Sequence, residues 1–281
     1  MLSYIKKKID KYRQKKTFQE YGYEIKKFNL SKEGEVAYAQ WLHPFEEPQV
    51  ISQSQVNFYR KFIKKGDLLI DIGAHTGDTT IPMALAASDG GLVLALEPNA
   101  YVYKILAVNA ELNPAFGKII PLPFAATEND GEFTFHYSDA SFCNGGFLSN
   151  VKNQRHNHNY TLNVQGKNLE KYLRENFSTY LPNLSLLKVD AEGYDKEILK
   201  NMANIIKQSR PFILAECYKH LDREERVELY WSMATHNYAV FYLDSFEEKL
   251  ITEKLTEEDM LKRKHFEIVA APIEKQSVIT D

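Results

Sequence analysis

At 281 residues, with 44% hydrophobic and 26% charged, the chain is long enough to enclose a sizeable core and has the composition of an ordinary globular protein. A formal net charge of −3 gives no chain-wide electrostatic reason to expect a nucleic-acid partner. Two cysteines, Cys143 and Cys217, stand without metal-type spacing, and no apolar run is long enough to cross a bilayer, so free thiols and a cytoplasmic location are expected.

Residues 1–60 read as a helical or irregular N-terminal extension. Its start is basic, with Lys6, Lys7, Lys8, Lys11, Arg13, Lys15 and Lys16 against Asp10, while Leu2, Ile5, Ile9 and Tyr12 recur at helical spacing. This predicts an amphipathic helix, docked by its apolar stripe or laid through residues 1–16 on an anionic membrane surface or a partner. From residue 61 a single domain is expected. Apolar runs at 68–73, 92–98, 118–126, 184–193, 211–218, 238–244 and 266–272 predict strands, and 101–113, 195–207 and 223–236 carry helical spacing. Near-continuous apolar strands alternating with helices predict an α/β, doubly wound parallel sheet covered on both faces.

Residues 132–166 break that rhythm with an aromatic, polar insertion holding two strands, around 132–137 and 160–165. Loops at the carboxyl ends of such strands take substrates, so the insertion is read as a substrate-facing lid. Within it SFCNGG (141–146) is expected to move, and Tyr137, Phe142, Phe147 and Tyr160 to stack on a ring or to pack the lid down. His136, His156 and His158 offer a base near neutral pH; a metal held by them is not favoured over a polar loop.

The stretch LLIDIGAHTGDTT (68–80) carries the first chemical signal. A strand ends at Asp71, and Gly73 and Gly77 allow close backbone approach and a tight helix start. The spacing G-x-x-x-G lacks the middle glycine of a dinucleotide site, and a carboxylate there would repel a pyrophosphate but attract an ammonium group. Glu97, closing LVLALE, stands where such folds place the acid that accepts both ribose hydroxyls. The order Asp71, G-x-x-x-G, Glu97 describes a site for S-adenosylmethionine.

DIGAHTGDTT, LALEPN, LLKVDAEGYDKEILKNM and FILAEC, spread over about residues 65–217, together resemble the FkbM-type methyltransferases, and the K-x-D-x-E-G element is the specific part. The resemblance implies a seven-stranded Rossmann-like methyltransferase sheet with an antiparallel last strand, and O-methylation of a hydroxyl on a small acceptor, often a sugar. It also implies that Asp71, Gly73 and Gly77 line the methionine end, Glu97 the ribose and Asn99 the adenine edge. His75, Thr79, Pro98 and Ala126 are counted with them; His75 replaces the family's usual asparagine, at a position where the turn uses the backbone.

Lys188, Asp190 and Glu192 alternate along LLKVDAEG and so share one face at the carboxyl end of a central strand, a placement that is costly unless the charges pair or serve a cleft. Methyl transfer needs in-line alignment and removal of the hydroxyl proton. Asp190 is the first candidate base, Glu192 the second, and Glu216 a candidate for holding acceptor hydroxyls. A divalent ion on Asp190 and Glu192 is not favoured. Two other readings compete with a small or glycan acceptor: methyl transfer to nucleic acid or protein, for which no D-P-P-Y element is present, and a non-catalytic cofactor-binding module, which should have lost Asp71, Glu97 or Asp190.

Overall fold

The computed structural model describes residues 13–143, 146–148, 160–249 and 252–280. Most of the basic N-terminal segment, together with His156 and His158, lies outside the described residues.

Among its described residues the extension is not mainly helical. Strands β1 (Tyr23–Leu30) and β2 (Gly34–Trp41) form an antiparallel hairpin whose short connection ends on Gly34 at φ +78°, the left-handed position that such turns give to glycine. Val36 and Tyr38 from β2 share an apolar cluster with Phe58, Leu69 and Ile81 of the main body. Helix α1 (Gln53–Tyr59) follows, started by a capping box between Ser52 and Gln55.

The main sheet has the order β13-β12-β14-β11-β10-β3-β4-β5. Seven of these correspond to the predicted runs: β3 (Leu68–Ile72), β4 (Leu92–Leu96), β5 (Lys118–Leu122), β10 (Leu184–Val189), β11 (Phe212–Cys217), β12 (Tyr238–Leu243) and β14 (Phe266–Pro272). The eighth, β13 (Thr252–Lys254), is a short edge strand antiparallel to β12. Strands β5, β4, β3, β10 and β11 run parallel, and β14 enters antiparallel between β11 and β12. Strands β3 and β4 are wholly buried because both faces are covered: Ile70, Leu94, Leu187 and Ile213 belong to one apolar cluster, and Leu69, Val93, Leu186 and Leu214 to another. Pro121, which has no N–H to donate, is tolerated in β5 because that strand is an edge.

Helices α2 (Thr80–Ala87), α3 (Ala100–Glu111), α4 (Leu169–Asn176), α5 (Asp195–Asn201), α6 (Ala203–Ser209) and α7 (Arg223–Ala234) supply the crossovers and outer layers. The single helix predicted over 195–207 is two, broken at Met202, whose φ −95° and ψ 6° leave the helical region. The run predicted over 118–126 also divides, with β6 (Ala125–Thr127) leaving the main sheet.

The insertion is a second sheet rather than a loose lid. Strands β6, β7 (Gly131–Tyr137), β8 (Phe147–Leu148) and β9 (Tyr160–Asn168) pair in the order β6-β9-β7-β8. The loop after β7 is pinned where it is described: Asp139 accepts backbone N–H bonds from Ser141 and Cys143, at 3.1 and 3.2 Å. His43 Nε2 from the N-terminal segment lies 3.5 Å from the same buried carboxylate.

Candidate active site

A cavity of about 930 Å³ opens at the carboxyl ends of β3, β4 and β10. Its walls include Gly73, His75, Glu97, Pro98 and Asn99 on the donor-motif side, Asp190, Glu192 and Tyr218 across from them, and Ala126, Phe135 and Tyr137 from the second sheet.

Glu97 directly follows β4 and lines the cavity. Its Oε1 accepts the Asn99 backbone N–H at 2.8 Å and its Oε2 that of His75 at 3.1 Å. The carboxylate is thus held in one orientation while its remaining lone pairs stay available, which suits a bidentate acceptor for a diol. Burial raises its pKa above the ordinary glutamate value, against the charge of His75 and these hydrogen bonds.

Asp71 does not face the cavity as expected. It is completely buried, and its Oδ2 accepts from Thr79 Oγ1 at 2.9 Å and Thr80 Oγ1 at 2.7 Å, while Oδ1 lies 3.3 Å from Lys188 Nζ. The carboxylate therefore ties the loop and the start of α2 to the neighbouring strand. Thr79, spent on this bond, is absent from the cavity wall, and so is Gly77. At Gly77 a Cβ would come within 3.1 Å of Leu106 Cδ1, so this glycine serves helix packing. Gly73 lines the cavity but is required by the protein itself, since a Cβ there would lie 1.9 Å from the carbonyl oxygen of Asp190.

His75 has φ +48°, an uncommon conformation outside glycine. Its Nε2 lies 3.2 Å from the Cys143 carbonyl oxygen and its Nδ1 3.9 Å from Glu46. Burial opposes the imidazolium, but Glu46 and Glu97 outweigh it and hold the pKa above 6.5. The side chain thus joins the N-terminal segment, the loop after β7 and the cavity wall, beyond the backbone role the sequence suggested. Asn99 lines the cavity, but its side chain is committed: Oδ1 caps α3 at Tyr101 N (3.0 Å) and Nδ2 donates to the Phe142 carbonyl (2.7 Å).

Across the cavity, Asp190 is half exposed and 3.4 Å from Lys188 Nζ. Glu192 stands at φ +51° in the following turn. Burial pushes its carboxyl up to about 7, with Asp190 adding to the effect and Tyr218 and Lys219 opposing it. The turn is held by Asp195, whose Oδ2 accepts from Ala191 and Gly193 N–H groups and whose Oδ1 accepts from Glu216 N. Glu216 itself does not line the cavity; it sits beside Glu267 in β14, directly opposite in register.

Sequence reasoning missed Asp195, Tyr218, Lys219, His220, Phe135 and Lys15, of which all but Asp195 line the cavity. Asp195 was findable, because a turn of the form D-A-E-G-Y leaves backbone donors that an acid just after it satisfies. Lys15 was not, since only the folded chain shows its carbonyl accepting from Ala140 N.

The sequence matches the family model described as the Methyltransferase FkbM domain over residues 71–250. The chain belongs to the FkbM methyltransferase family. The matched region contains Glu97 on one wall of the cavity and Asp190 and Glu192 on the other, together with the buried Asp71. Over 166 residues the chain is 27% identical to the hexuronic acid methyltransferase AglP of Haloferax volcanii, covering 59% of this chain and 62% of that protein, about three fifths of its length. A FkbM methyltransferase structure from Methylobacillus flagellatus KT superposes with TM-score 0.45 at 11% identity, over 74% of this chain and 44% of that one. An O-methyltransferase of Bacillus cereus in complex with SAH gives TM-score 0.43 at 14% identity, over 80% and 84%.

Proposed function

We propose that this FkbM protein transfers a methyl group from S-adenosylmethionine to a hydroxyl of a small acceptor, a sugar or glycoconjugate. The observation that carries the reading is the one cavity with an oriented ribose-type acid, Glu97, on one wall and two carboxylates, Asp190 and Glu192, on the other. The residues present fit the donor: Glu97 for the ribose diol, Gly73 for close approach, and Leu96, Pro98 and Ala126 as apolar wall. S-adenosylmethionine, when bound, supplies a methyl group already activated by its sulfonium charge.

The chain's own work is to hold the acceptor oxygen in line and to take its proton. Glu192 is favoured over Asp190 as base, reversing the order expected from sequence, because a carboxyl near 7 matches the pH at which proton transfer to it is efficient. Asp190, fixed by Lys188 and open to the cavity, is suited to orient the acceptor hydroxyl. Lys15 and Lys219 add positive charge to the wall, which favours an acidic sugar and agrees with the hexuronic acid named for the Haloferax relative.

Calorimetry with S-adenosylmethionine, followed by transfer assays on uronic acids and neutral sugars, tests the reading. Glu97→Ala is expected to weaken donor binding. Glu192→Gln is expected to keep donor affinity and lower kcat by about 10²–10⁴-fold, and the native enzyme's kcat is expected to rise with pH through about 7. A native protein that does not bind the donor would refute the proposal. Full turnover by Glu192→Gln would return the base to Asp190.

A further inference from the structure

Glu216, Glu267 and His265 each place one ligand atom within 4.8 Å of the other two. The two glutamates face each other across the β11–β14 ladder and therefore project from the same face. His265, just before β14, brings Nε2 to 3.3 Å from Glu216 Oε1. A divalent ion with bonds of roughly 2.0–2.2 Å needs its ligand atoms about 3.0–3.4 Å apart, so this pair already stands at ligand spacing.

A second, independent observation points to a cation. Glu216 is only 8% exposed, and its Oε2 is enclosed without a hydrogen-bond partner among the described residues. An enclosed carboxylate oxygen left so is costly. The nearby lysine is already engaged, since Lys188 Nζ lies 3.3 Å from Asp71 and 3.4 Å from Asp190. Burial, reinforced by Asp190 and Glu192, pushes the Glu216 carboxyl up to about 10, and burial with Asp190 pushes Glu267 up to about 7.

The surroundings hold the three ligands in place. Glu216 N donates to Asp195, and the buried Arg226 guanidinium donates to the carbonyls of Met260, Arg263 and Lys264, fixing the segment that leads into His265. Ligands fixed by their own supports are what a preorganised ion site requires.

We infer that Glu216, Glu267 and His265 form a binding site for one divalent transition-metal ion, outside the cavity and beside its Tyr218 wall. The Tyr218 and His265 ring centroids are 6.3 Å apart, which places the ion next to the acceptor wall. One imidazole with two carboxylates suits Mn²⁺, Fe²⁺ or Zn²⁺ better than Mg²⁺, which prefers an all-oxygen shell. His265 is exposed, so the remaining coordination positions open toward solvent.

The test uses the full chain, stripped with a chelator and titrated with Mn²⁺ while the free ion is followed by electron paramagnetic resonance. One equivalent is expected to bind and to be displaced by Zn²⁺. Glu216→Gln and His265→Ala should each weaken binding at least tenfold, with far-ultraviolet circular dichroism unchanged; His265 is at the surface, so its variant keeps the test open if Glu216→Gln misfolds. Failure of both ions to bind at one per chain, or equal binding by native protein and His265→Ala, would overturn the proposal. The titration contains no methyl donor, so its outcome is independent of the methyl-transfer reading.

Discussion

Gly73→Ala separates two costs that the structure lets one calculate. Gly73 has φ +78°, a left-handed conformation that costs a residue with a side chain about 1–2 kcal/mol. The added methyl would also lie 1.9 Å from the Asp190 carbonyl oxygen, a contact that only backbone movement can relieve. Both backbones are tied, Gly73 N to Leu96 O at 3.1 Å and Asp190 N to Ile72 O at 3.0 Å, so retreat stretches a ladder bond. Overpacking of this kind costs about 1–3 kcal/mol, giving a total loss of about 2–5 kcal/mol when added to the conformational cost. Gly90→Ala is the control: its φ is +84° and the nearest atom to its new methyl is 4.0 Å away, so only the conformational cost of about 1–2 kcal/mol remains. Guanidinium unfolding of both variants, at constant m, measures the difference. If the two variants lose stability equally within about 0.5 kcal/mol, the close approach of the loop to β10 is wrong.

Two further outcomes are expected. Lys188→Met leaves the enclosed Asp71 carboxylate without its cation and should cost about 3–5 kcal/mol, part of which Asp71→Asn in the same chain should restore; no loss on the single substitution would show that Lys188 is not the partner. Burial raises Glu192, Asp195 and Glu267 to about 7 and Glu216 to about 10. Between the usual carboxyl range and these values the folded chain holds more protons than the unfolded one, so stability falls as pH rises. In chelator, the urea midpoint should therefore be lower at pH 8 than at pH 6.5, and a higher midpoint at pH 8 would refute the burial of these groups.

The parallel core was readable because LLIDI and LVLAL are apolar on both faces, which only a covered sheet satisfies. The β1–β2 hairpin was not read, although K-E-G before Val36 carries a turn signal. Charged and apolar residues mix on the largely exposed β1, so a period of two is blurred. The structure brings Gly73, His75, Glu97, Asn99, Asp190 and Glu192 to one cavity and leaves Asp71, Gly77, Thr79 and Glu216 out of it, because sequence cannot say which group an acid at a strand end will meet. Asp71 meets Lys188 because β10 lies beside β3 in register, and Glu216 meets Glu267 because β14 inserts antiparallel next to β11. Both partnerships are decided by strand order, a property of the whole fold.

The cavity is bounded by two sheets whose ladders are separate. One jaw, built on β3, β4 and β10, contributes Gly73, Glu97 and Asp190 to the cavity; the other, built on β6, β7 and β9, is stitched within itself and lines it with side chains such as Phe135 and Tyr137. The jaws are nonetheless joined at two backbone carbonyls of the loop after β7: Asn99 Nδ2 donates to that of Phe142, and His75 Nε2 lies 3.2 Å from that of Cys143. A displacement of the second sheet is therefore passed to two side chains on the opposite rim, and neither jaw can shift alone.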